Sequence, residues 1–278
     1  MNLSLSDSRK IFKFATLFAN LKPFSSSVVV HFRSDGLYIQ SMDDSHCSLL
    51  ECSLQAAWFD DYVLHNDTTC RAGISLSMFH KVLHSRQDNQ KLVLSLLPQT
   101  DTITIAFLSV DPATRSFDKQ FELPLMDIEV DLVEIKENTE VDVILESKLF
   151  TDLINQLNLF DDNLTLVFQE EQIELISKGM EGSMKAVIKI ENVKSYVIPE
   201  GPPLTQAYSL KYLQMMCQFN KLANDITMGF GNFMPMSMRY NFTEDGHNFI
   251  RIHLAPKMNP DAEDEPSSSS VDVDNDEF

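Results

Sequence analysis

Two stretches of this 278-residue chain follow one plan at a constant spacing. Ser75-Leu76-Ser77-Met78-Phe79-His80-Lys81-Val82 and Ser209-Leu210-Lys211-Tyr212-Leu213-Gln214-Met215-Met216 begin 134 residues apart. Each opens an apolar-periodic helix that runs into a strand, at 91–96 and 225–230. Upstream, alternating strands at 28–32 and 37–41 return at 164–168 and 173–177, a spacing of 136 residues. Helical segments at 8–21 and 147–160 precede both strand pairs, with Ser8 and Ser147 as expected N-caps. A repeat this long predicts a duplicated domain, because solenoid repeats run closer to about 20–50 residues. Each half reads as strand, helix, three strands, helix and further strands, an α+β domain built twice. The expected divisions are 1–125, a connector at 126–140, 141–258, and a tail from 259 to 278.

The connector holds six acidic residues against Lys136, with Ile128, Val130, Leu132, Val133 and Ile135 interleaved. That alternation predicts an extended segment laid over an apolar surface rather than a flexible Gly/Ser linker. Residues 261–278 carry eight Asp or Glu, four consecutive Ser and no Lys or Arg, a composition that cannot order itself. These two segments hold most of the net charge of −19, leaving about −6 across the two folded halves. A content of 44% hydrophobic residues is enough to bury a core. No apolar run approaches the roughly 18 residues of a membrane span, and no apolar leader opens the chain, so a cytosolic or nuclear location and no membrane partner are expected. Cys47, Cys52, Cys70 and Cys217 lack metal-ligand spacing, which predicts free thiols, no metal site and no cofactor.

Residues 36–49, Gly-Leu-Tyr-Ile-Gln-Ser-Met-Asp-Asp-Ser-His-Cys-Ser-Leu, alternate as a half-buried strand, break at a polar loop, and resume alternation after His46. This run resembles the strand-loop-strand signature of the eukaryotic sliding clamps, the proliferating cell nuclear antigen family. Leu125-Met126-Asp127 is similar to the start of that family's interdomain connector, and Leu254-Ala255-Pro256-Lys257 to its C-terminal end. The resemblance implies two similar clamp (processivity-fold) domains joined by the connector and assembled into a closed homotrimeric ring. It implies a DNA processivity factor without catalysis, whose partners are duplex DNA, DNA polymerase, a clamp loader and proteins carrying a short Gln/aromatic motif.

By the same resemblance the helices face DNA with Arg9, Lys10, Lys13, Lys22, Lys81, Arg86, Lys148, Lys211 and Lys221. Read from charge alone, such cations are ordinary on the solvated face of an amphipathic helix. The third helix departs from the family pattern, carrying Asn155, Gln156, Asn158 and Leu159 where further cations are expected. A client pocket is implied at Met42, His46, Leu49, Val133, Pro235, Ala255, Pro256 and Met258. Edge strands at 115–123 and 183–190 are implied to close the ring, with Phe117, Phe121, Leu123, Met184, Ala186 and Val187 at the contact. Two other assemblies fit the same fold: one subunit of a heteromeric checkpoint clamp, or a monomeric viral processivity factor. An enzyme would have to begin from Asp43, Asp44 and His46, and those residues read better as a polar turn in which Asp caps its own backbone. A non-DNA interaction scaffold is the remaining class.

Overall fold

The computed structural model describes residues 1–110, 117–135, 138–232 and 234–257, without the side chain of Asp67. Its first half runs β1 (Asn2–Leu5), α1 (Ser8–Leu21), β2 (Ser27–Arg33), β3 (Gly36–Met42), β4 (Ser48–Gln55), β5 (Asp61–Val63), β6 (Cys70–Ser75), α2 (Leu76–His84), β7 (Gln90–Ser95), β8 (Thr102–Ser109) and β9 (Lys119–Pro124). Its second half repeats the order: β10 (Val141–Glu146), α3 (Ser147–Leu157), β11 (Asn163–Phe168), β12 (Gln172–Gly179), β13 (Gly182–Lys189), β14 (Ser195–Val197), β15 (Leu204–Ser209), α4 (Leu210–Cys217), β16 (Asp225–Phe230), β17 (Met236–Asn241) and β18 (Phe249–Leu254). Five strands separate the helices of each half, where the sequence reading expected three. The extra pair, short β5 with β6 and β14 with β15, is too brief and irregular to carry a clear period-2 signal.

The repeat extends to strand register. Val30 lies opposite Ile39 in the first half, and Leu166 opposite Leu175 in the second. Likewise Ile39 faces Cys52, and Leu175 faces Ala186. Each half contributes a five-strand and a four-strand layer. In the chain, the five-strand layer of the second half fuses with the four-strand layer of the first, because β18 pairs antiparallel with β4 from Phe249↔Ser53 to Leu254↔Ser48. The result is a nine-stranded sheet, β14-β10-β16-β17-β18-β4-β3-β2-β6. The other two layers, β5-β1-β7-β8-β9 and β13-β12-β11-β15, end on β9 and β13 with no neighbour beyond them among the described residues.

Helices cover one side of these sheets. Ile11, Phe14, Leu17, Phe18 and Leu21 of α1 are buried at helical spacing, and the Phe18 ring meets Phe79 of α2 at 4.6 Å. The two expected serine caps are corrected. Asp7 is the N-cap of α1, accepting from the amides of Arg9 and Lys10, and the same bonds hold its carboxyl below the usual carboxylate range. Ser147 is buried inside the first turn of α3, its hydroxyl donating to the Ala223 carbonyl at 2.7 Å. That helix stops at Leu157 rather than 160. The tail expected from 259 onward, and Met258 with it, lie outside the described residues.

Candidate functional site

On the sheet face opposite the helices, the connector crosses strands from both halves. It is anchored at its start where Met126 donates to the Gly73 carbonyl at 2.8 Å. A side chain at Gly73 would stand 2.1 Å from the Met126 carbonyl oxygen, so glycine is what lets the connector sit this close. Further on, buried Gln40 acts as a surrogate strand. Its Nε2 donates to the Val133 carbonyl at 2.9 Å, and its Oε1 accepts from the Val133 amide at 2.7 Å. At the far end Glu140 donates from its backbone to Phe230 at 2.8 Å.

Beside this segment lies a groove of about 450 Å³. Met42, His46, Leu49, Val133, Pro235 and Ala255, six of the residues expected at a client pocket, line it together. Pro256 does not. Sequence reasoning missed Ile135, Met234, Ser237 and His253, which also line it. His253 and Leu49 are opposed across the β18·β4 pair, a non-local contact that no local pattern reveals. Met42, Leu49, Val133, Ile135, Met234 and Pro235 give the groove apolar walls, and Ser48, Asn138, Thr139 and Ser237 add polar groups, as suits peptide capture.

The hairpin that carries this wall is held by Asp43. Burial opposes ionisation of that carboxylate, but donors from the Ser48 amide, the Tyr212 hydroxyl, the Ser48 hydroxyl and the Ser45 amide outweigh it, so its pKa is lowered. The Tyr212 bond, at 2.7 Å, joins the groove of the first half to α4 of the second. His46 adopts a left-handed backbone at φ 55°, which turns the loop back toward β4.

The helix side carries a second groove, about 650 Å³, lined from all four helices by residues including Phe12, Thr16, His80, His84, Asn155 and Gln214. Of the expected cations, only Lys221 lines it. Arg9, Lys22, Lys81, Lys148 and Lys211 are exposed. Lys10 and Lys13 are already engaged, donating to the carbonyls of Trp58 at 2.7 Å and Phe242 at 2.9 Å. Burial lowers the pKa of Lys13. Arg86 is largely engaged within the chain: its side chain is 10% exposed, and its guanidinium donates to the carbonyls of Asp88 and Gln90 at 3.1 and 2.9 Å. It braces the turn after α2. Asn155 stands in the groove where the sequence reading noted a missing cation.

Among the described residues no three His, Cys, Asp or Glu side chains come together in a metal-binding arrangement, and no helix is long and apolar enough to cross a membrane. All four cysteines are free.

Two tandem halves, helices on one side and a connector-framed groove on the other, define the sliding-clamp class. The family model described as "Proliferating cell nuclear antigen, N-terminal domain" matches residues 7–133. Proliferating cell nuclear antigen 2 of Drosophila melanogaster is 28% identical over 240 residues, spanning 86% of this chain and 91% of its own length. Proliferating cell nuclear antigen 1 of Plasmodium falciparum is 25% identical over 262 residues, 88% of this chain and 93% of its own. A solved PCNA2-PCNA3 complex from Sulfolobus tokodaii shares the fold, with a TM-score of 0.78 at 21% identity over 92% of this chain and 99% of that one. The chain is a DNA sliding clamp, similar over most of its length to the proliferating cell nuclear antigens.

Proposed function

We propose that three copies of this chain close head to tail into a ring around duplex DNA, and that the ring tethers a DNA polymerase and other DNA enzymes without catalysing a reaction itself. The observation that carries this reading is the pair of bare edges, β9 and β13. Within the chain, the equivalents of those edges, β18 and β4, are joined. A head-to-tail contact of this kind repeats until the rotation closes.

The internal repeat specifies the register of the joint. Met238 faces Ile252 as Ile105 faces Phe121, so β9 matches β18 residue for residue. The in-chain pairs Ile252↔Leu50 and Arg251↔Glu51 then become Phe121 opposite Met184 and Gln120 opposite Lys185 of the next copy. Leu123, Ala186 and Val187 fall along the same ladder, and Phe117 precedes it at 66% exposed. Oxidation of a Gln120→Cys, Lys185→Cys double variant should give a covalent ladder ending at three chains. Cross-linking no better than either single variant would remove this register.

The helices then face the hole, where exposed Arg9, Lys22, Lys81, Lys148, Lys211 and Lys221 meet phosphates without reading bases. Lys10 and Lys13 contribute charge from fixed positions, and Arg86 is left out. The connector groove takes the Gln/aromatic motif of clients, and a clamp loader opens the ring. This role places the protein in the nucleus or a viral replication compartment. Retention on circular primed DNA, lost when the circle is cut, tests encirclement directly.

A further inference from the structure

The internal repeat does not stop at the last strand. Met126 leaves β9 and donates to Gly73 of β6 at 2.8 Å; Lys257 leaves β18 and donates to Ala207 of β15 at 2.7 Å. Gly73 faces Val29 of β2, and Ala207 faces Thr165 of β11, so the two anchors are equivalent points of the two halves. Beyond the first anchor the chain is the connector, which crosses the outer face of β2 and β3. Beyond the second it is residues 258–278, which start from the point equivalent to the connector's start.

The two outer faces differ in charge. On the first half, Glu51 lies opposite Gln40, where the connector is held, with Met42 two residues and Gln55 four residues along the strands from that row. Their equivalents on the second half are Lys178, Lys185 and Lys189, all exposed. Glu174 is ion-paired to Lys185 at 2.8 Å, and Glu170, Glu171 and Glu181 stand at the two turns flanking these strands. The row of three lysines still exceeds the one acid on its own strand faces. The segment after each anchor differs in step: apolar and acidic residues alternate in the connector, while Asp261, Glu263, Asp264 and Glu265 follow Lys257 with no large apolar side chain among them.

Reach agrees as well. From β15 to β13 is three strand spacings, about 14 Å. Extended chain covers about 3.3 Å per residue, so residues four to eight beyond Lys257 arrive over β12 and β13. Val133, seven residues past Met126, is the one held by Gln40. Seven residues past Lys257 is Asp264, and the equivalent of Gln40 is Ile176, which lies opposite Lys185.

We propose that residues 258–265 dock in cis across the outer face of β11, β12 and β13, with Asp261, Glu263, Asp264 and Glu265 over Lys178, Lys185 and Lys189. Ile176 offers no amide clamp like that of Gln40, so charge alone holds the segment, and salt releases it. The docked tail covers the outer lysines and leaves the helix face as the cationic surface open to DNA. This inference does not depend on ring closure.

Zero-length carbodiimide cross-linking of the full chain, followed by peptide mapping, tests it. The expected links join 261–265 to Lys178, Lys185 or Lys189, fall several-fold in about 1 M salt, and disappear in the Lys178→Glu, Lys189→Glu variant. In an equal mixture of light and 15N-labelled chains they join segments of the same isotope. Backbone amide shifts should also change at β12 and β13, and not at the helices, when 258–278 are removed. Links directed to Lys211 or Lys221, mixed-isotope links, or an absence of links and of shift changes at β12 and β13 would overturn the proposal.

Discussion

The joint inside the chain and the two edges left bare are built from equivalent strands, yet they are finished differently. At β18·β4 the ladder is reinforced by polar ties between the halves: Arg251 to Glu51 at 2.9 Å, Lys13 to the Phe242 carbonyl, Asn20 to the Gln218 carbonyl at 2.7 Å, and Tyr212 to Asp43. At the edges, apart from Lys185, the matching positions are apolar or neutral. Leu149, at 40% exposed, stands where Lys13 does, and Met78, at 48%, where Tyr212 does. Gly179 replaces Asp43, and Met180 beside it is fully exposed. Gln120 opposite Lys185 replaces the ion pair. A joint that forms once, during folding, can rely on buried, directional bonds that are costly to leave unmade. In the proposed ring, a joint that opens for DNA and closes again is better served by apolar surface, which loses no specific partner when water enters.

Substitutions that act on one joint and spare the other test this contrast. The largest effect belongs to Ile252→Ala, which leaves a cavity in the buried in-chain ladder. It should lower the unfolding free energy by about 2–5 kcal/mol in a denaturant titration. Its equivalent, Phe121→Ala, should leave the monomer folded and weaken association, by about 2–3 kcal/mol per contact and so roughly 100-fold in the dissociation constant read by sedimentation. If Phe121→Ala lowers stability and leaves association intact, the two positions are not equivalent.

Asp43 adds a pH term to the in-chain joint alone. Its carboxyl titrates below the usual range when folded, so the stabilisation is complete above that range and is lost as pH falls through the lowered value. Asp43→Asn should remove about 1–2 kcal/mol at neutral pH and flatten the acid limb of a thermal-midpoint profile. Association, with Gly179 at the matching place, should not follow that limb. The smallest effect is a gain. Gln120→Glu restores a carboxylate opposite Lys185 and should tighten the ring by at most about 1 kcal/mol, an increment that salt abolishes.

Much of this architecture is legible in the sequence. The spacing between the two Ser-Leu helix starts exposed the repeat, and period-2 alternation located β2, β3, β11 and β12. The eight groove residues, Val133 and Pro235 among them, come from resemblance, and six of the eight line one cavity. What remained hidden was non-local. Gln40 looks like an outward polar strand residue until the connector is laid over it. Lys13 looks like a free cation until chain closure brings Phe242 to it, and Arg86 until the local turn after α2 folds Gln90 back onto it. The short strands β5 and β14 follow brief helical turns and leave no periodic trace.

The most direct test of the central claim is solution mass by light scattering over a dilution series. Closure through β9 and β13 requires a species of about 95 kDa, three copies of the 31.7 kDa chain, that persists on dilution and is lost in Phe121→Ala. A mass that stays at 31.7 kDa at every concentration would contradict the homotrimer and turn attention to a heteromeric or monomeric clamp.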